Sequence, residues 1–165
     1  MSLFKTLFGG RKGKKPTPDA GPMPTRELRL PHTPSPANAV LLAEIFVDAV
    51  NKNDGLQLDY SIDTLDFVSK FLQQFSDEGL SVNDFAETIF VAGSYVGQVI
   101  VNNNSGVWIS QDEVSLPEGV SMMPIVVKLP NGNIADPIAK AFKRFYFGEG
   151  EDLKYFHHVF TSKQA

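Results

Sequence analysis

The chain has 165 residues, 42% of them hydrophobic, with 13 Phe, four Tyr and one Trp, enough apolar material for one domain with a proper core. It has no Cys, which excludes both a disulfide scaffold and a zinc–thiolate site. The net charge of −4 conceals segregation: residues 1–36 carry seven Lys/Arg against two acidic groups, residues 37–119 carry two against 13, and residues 120–165 carry six against four.

The first segment, Met1 to Phe8, has Leu3, Phe4, Leu7 and Phe8 on one side if helical, directly before Arg11, Lys12, Lys14 and Lys15. Apolar anchors beside a polybasic cluster are the ingredients of peripheral attachment to an anionic membrane surface. The segment has no basic stretch ahead of its apolar residues, as a secretory signal would, and no run reaches the ~18 apolar residues of a membrane span. The cytoplasm, at the periphery of the inner membrane if the tail attaches, is the expected location.

Seven of the 11 prolines fall in the first 36 residues, from Pro16 to Pro36. Proline fixes φ and removes a donor, so residues 1–36 are predicted to be a basic, proline-rich flexible tail ahead of a single α+β domain over 37–165.

In that domain the first helix is predicted from Pro36 to Lys52, capped by Ser35, with Val40, Leu41, Ile45, Phe46 and Val50 as its stripe. A second helix opens at Ser61, buries Leu65, Val68, Phe71, Leu72 and Phe75, and stops at Gly79. The third begins at Ser81 or Asn83 and contains Gly93 and Gly97, one turn apart. Two interior glycines cost about 1 kcal/mol each relative to Ala, so close packing against another element is expected there.

Past the turn at Asn102–Gly106 the period becomes strand-like, with strands at Val107–Ile109, Val120–Leu129 and Ile134–Ala135. Asn131-Gly132 fits a tight hairpin between the last two. Trp108 is expected to lay its ring over the helix carrying Gly93 and Gly97. Asp136-Pro137 then caps a helix burying Ile138, Ala141, Phe142, Phe145 and Tyr146, and a last helix, about Glu151 to Thr161, turns Leu153, Phe156, Val159 and Phe160 inward. The predicted architecture is α+β: three helices, a small antiparallel meander over about 107–135, and two closing helices.

Nothing in this order forms a catalytic set. Gly93-Ser94-Tyr95-Val96-Gly97 has Ser in the wrong position for a nucleophile elbow, and no phosphate loop or dinucleotide fingerprint occurs. His157 and His158 are adjacent, so on a helix they diverge by about 100° and cannot form an i, i+4 metal pair. Asp59, Asp63 and Asp66 lack the glycine of a calcium loop. No cofactor or metal is implied. Lys140, Lys143 and Arg144 share the polar side of the fourth helix and form the candidate surface for an acidic partner or a phosphate. Nucleic acid is disfavoured for the domain itself, since residues 37–165 carry eight basic against 17 acidic groups.

Tyr95-Val96-Gly97-Gln98-Val99-Ile100, Gly106-Val107-Trp108, Lys143-Arg144 and Gly148-Glu149-Gly150-Glu151-Asp152-Leu153, in this order, resemble a family of small bacterial proteins grouped as domains of unknown function. The resemblance covers about residues 37–160, and implies a bacterial protein of α+β fold without implying a mechanism.

The functional expectation is a non-enzymatic module that binds another protein in an accessory or regulatory role. One alternative is a peripheral membrane protein acting through its tail. The other is a small enzyme in which Asp59, Asp112 or Glu113 converges with a histidine.

Overall fold

A computed structural model describes residues 19–162. Its elements are α1 (Ala39–Asp54), α2 (Thr64–Asp77), α3 (Val82–Asn104), β1 (Val107–Ser110), β2 (Ile125–Lys128), β3 (Ile134–Ala135), α4 (Pro137–Phe147) and α5 (Leu153–Thr161). The fold is α+β, with three helices, a three-stranded antiparallel sheet in the order β1-β2-β3, and two closing helices. In the sheet Trp108 lies opposite Val127, and Val127 opposite Ala135.

The architecture is organised around α3. Its 23 residues span about 35 Å, and every residue from Phe85 to Ile100 is buried. A helix that is covered on all sides must be packed by several elements at once. Here α1 and α4 flank it, and the sheet lies over its second half. Ser81 caps it, its hydroxyl accepting from the Asp84 amide at 3.0 Å.

The two glycines divide the expected close approach between them. A Cβ on Gly93 would lie 2.6 Å from the Ile138 Cα, so that glycine lets the α4 backbone rest on α3. A Cβ on Gly97 would strike the Trp108 ring, with the Pro137 ring next to it. Trp108 therefore covers Gly97 while α4 covers Gly93. The indole Nε1 donates to the Gln98 side-chain oxygen at 2.9 Å, which satisfies its only donor.

The predicted elements shift in four places. Pro36–Asn38 form a separate 3₁₀ turn capped by Ser35, and α1 starts after it. Its buried face is then Ala39, Leu42, Ala43, Phe46, Val47, Ala49 and Val50, leaving Val40 and Leu41 more than 40% exposed. With almost every position apolar, the small alanines decide the face, because they let α1 approach α3 closely. Second, α2 begins at Thr64, and Ser61 contributes its carbonyl to the first turn rather than its hydroxyl. Third, β2 is confined to Ile125–Lys128, directly after Pro124, which has no ladder donor. Fourth, on the closing helices Asp152 caps α5 and His157 points inward, whereas Tyr146 and Val159, both predicted to be buried, are exposed.

Residues 19–35 lie along α3, although their prolines predict a flexible tail. Met23, Leu28 and Leu30 pack against the core edge, and polar side chains fasten the segment, as described below. We call this segment the strap. The predicted tail residues Leu3, Phe4, Leu7, Phe8, Arg11, Lys12, Lys14 and Lys15 lie outside the described residues. Among the described residues no helix is long and apolar enough to cross a membrane.

Candidate functional site

Glu87 lies on α3 within Phe85-Ala86-Glu87-Thr88-Ile89-Phe90, a stretch buried on every side. A carboxylate there requires a cation and hydrogen bonds to offset its desolvation. Region 37–119 contains only Lys52 and Lys70 as cations, so the partner comes from elsewhere in the chain. It is Arg26 of the strap. The guanidinium grips Glu87 bidentately, Nη1 donating to Oε2 at 2.7 Å and Nη2 to Oε1 at 2.6 Å. The Arg29 amide adds a third bond, to Oε2 at 2.9 Å.

Glu87 is 5% exposed, and its burial alone would push the carboxyl pKa up. The Arg26 fork and the Arg29 amide outweigh that effect and hold the group below the usual carboxylate range. Arg26 is correspondingly raised by its bond to Glu87.

The rest of the strap is fastened in the same way. The Asp19 carboxylate accepts from the Val82 amide at 2.8 Å, at the start of α3. The Thr25 amide donates to the Asn83 side-chain oxygen at 2.9 Å, and Asn83 returns a bond to the Thr25 hydroxyl at 2.8 Å. Arg26 Nε donates to the Asn83 carbonyl at 2.9 Å. Each of these bonds passes through a side chain. The strap is therefore held as a bound peptide is held, and not as a strand in a sheet.

Beyond the Arg26–Glu87 pair the strap leaves a groove of about 370 Å³. Leu28, Leu30, His32, Thr33 and Pro34 form its strap wall, with Phe90 of α3 and Met123-Pro124 from the loop before β2 opposite. It is mostly apolar, with one imidazole and one hydroxyl, and its size falls in the range typical of ligand sites.

The predicted basic surface on α4 is dispersed. Arg144 is only 5% exposed and turns towards α2, where Nη1 donates to the Gln73 side-chain oxygen at 2.6 Å. Burial lowers its pKa, against the opposing pull of Glu149, Asp152 and Asp77. Lys140 pairs with Glu151 and lies 5.7 Å over the Phe156 ring. Lys143 remains exposed. The helix is wedged between α3 and α2, so its basic residues are drawn to different neighbours.

The histidines and carboxylates are also apart. His157 is buried, with Nε2 at 2.7 Å from the Asn104 side-chain oxygen, and burial together with His158 lowers its pKa. Ser61 holds the Asp59 carboxyl low, first through its side chain and then through its amide, which donates to Oδ1 at 3.0 Å. Glu113 closes a capping box with Ser110. Among the described residues no group of three His, Asp or Glu side chains is placed to hold a metal.

The strap contact is the feature that sequence reasoning passes over, yet a signal existed: Glu87 occupies an otherwise apolar helical run. Comparison of the chain with protein-family models, curated proteins and solved structures finds no match in any of the three. The strap, Glu87 and the groove beside them are accordingly the residues on which a functional reading must stand.

Proposed function

We propose that this chain is a non-enzymatic protein-binding module, acting in an accessory or regulatory role in the bacterial cytoplasm, and that the groove beside the strap is where it binds. The observation that carries this reading is the strap itself. It is a proline-rich segment with neither helix nor strand, held on α3 through side chains and ending at an apolar groove of about 370 Å³. Such surfaces recognise extended peptides by a few anchors and need no reactive group. The His157 imidazole is held by an amide, which fits a packing role better than acid–base work.

Affinity enrichment with the intact chain from its native host, followed by mass spectrometry, tests this. The expected result is a specific protein whose retention is lost when Met123→Glu places a charge in the groove. The absence of any specific partner, together with saturable turnover in a metabolite screen, would replace the reading with an enzymatic one.

A further inference from the structure

We propose that the strap is a resident peptide held in cis, and that a partner protein displaces it with an extended segment of the same chemistry, arginine followed by leucines two and four residues later. This rests on the protein-binding reading above and specifies its partner.

The argument starts from what the strap uses. Its anchor is the Arg26 fork on Glu87, a carboxylate that is 5% exposed and so built into the domain. Its apolar contacts at the core edge are Met23 before the arginine and Leu28 and Leu30 after it. Its main chain contributes the Arg29 amide to Glu87 and the Thr25 amide to Asn83. These features are a side-chain cation, two apolar side chains in alternation and two backbone donors. A segment carrying Arg-x-Leu-x-Leu along the strap's own backbone path presents the same groups to Glu87 and the core edge.

Exchange is also favoured by how the strap is attached. Among the described bonds to α3, none is a backbone–backbone pair, and Thr25, Arg26 and Arg29 are themselves exposed. Segments with few buried contacts and solvent-exposed hydrogen bonds open well below the global unfolding free energy. On displacement the groove loses its strap wall, so an incoming segment meets Phe90 and Met123-Pro124 with its own side chains in place of Leu28 and Leu30. The strap, however, is tethered, and a short tether supplies an effective concentration of about millimolar. A partner must outcompete it, so its apparent affinity is reduced by the fraction of open sites.

The test uses the full chain and a fluorescein-labelled synthetic peptide covering residues 19–35 of this sequence, followed by fluorescence anisotropy. Arg26→Ala in the chain removes the cis competitor's anchor and is expected to tighten peptide binding at least tenfold over the unaltered chain. Adding Glu87→Gln to that variant should reverse the gain, and a peptide carrying Arg26→Ala should bind neither chain. Equal binding by the unaltered and Arg26→Ala chains, or binding indifferent to Glu87, overturns the proposal. If the Arg26→Ala chain loses its helical circular dichroism, hydrogen exchange on the unaltered chain decides. Excess peptide should speed exchange at the Leu28–Leu30 amides, and unchanged exchange at saturating peptide overturns the exchange model. A specific host partner captured through Met123 alongside a failed peptide experiment would retain the protein-binding reading and remove only the strap's part in it.

Discussion

The buried run of α3, from Phe85 to Ile100, is covered by different means along its length. From Ala92 to Ile100 the cover is close-packed: the α4 backbone rests on Gly93, and the Trp108 and Pro137 rings on Gly97. From Val82 to Phe90 part of the cover is the strap, fastened by Asn83 and Glu87. The first kind of contact cannot open without breaking the core, since packed interiors do not deform continuously. The second is fastened through polar side chains, and we expect it to open separately. Burial alone therefore does not reveal which surface is permanent, whereas the chemistry of the cover does.

The largest expected effect comes from removing the close-packed cover. Trp108→Ala should cost about 3–5 kcal/mol of global stability in denaturant titration, as large buried aromatics do. Native tryptophan emission should be blue-shifted and move to the red on unfolding. Native emission resembling free indole would place Trp108 at the surface and erase the contrast between the halves.

Gly93→Ala comes next. Its Cβ would meet the Ile138 Cα at 2.6 Å, and backbone cannot give way as a flexible side chain can. Overpacking of this kind costs about 1–3 kcal/mol, read as a lower denaturant midpoint with an unchanged slope.

Arg26→Ala should cost less globally, about 1 kcal/mol, because the guanidinium is partly solvated and local opening of the strap returns the Glu87 carboxylate to water. Its main effect should be local: faster amide exchange at residues 27–30 while the amides of residues 95–99 keep their protection. A uniform loss of protection along α3 would show that the two halves open together.

The smallest effect concerns pH. Glu87 is held below the usual carboxylate range, so its stabilising contribution is complete above the unfolded carboxyl value of about 4.3 and lost as pH falls through the lower folded value. The stability difference between the unaltered chain and Glu87→Gln should thus be constant near neutrality and shrink below about pH 4. A difference that stays constant as the chain is acidified to its unfolding would mean that the Glu87 charge is not what fastens the strap.

Much of the fold is legible in the residues because local chemistry and periodicity agree. Ser81, Asp136-Pro137 and Gly79 mark helix ends where the structure has them, and the five predicted residues of α2 are its buried side. The α1 stripe is less legible. Nearly every position there is apolar, and only the partner's shape selects Ala39 and Ala43 over Val40 and Leu41. The strap is hidden for another reason. Prolines forbid a helix or a central strand, and an extended segment can still be ordered when another element's side chains hold it. The α4 basic trio misleads in the opposite direction, since spacing on one helix does not reveal that Arg144 meets Gln73 and Lys140 meets Glu151.

The strap contact also has a place in time. Arg26 and Glu87 are 61 residues apart, so during synthesis at roughly 5–20 residues per second Arg26 emerges about 3–12 s before its acceptor exists. It can dock only once α3 exists to receive it. If docking follows the folding transition state, weakening it should leave the folding rate nearly unchanged and show in the unfolding rate. During those seconds the arginine is a free cation on a nascent chain, and the first carboxylate to bind it need not be Glu87.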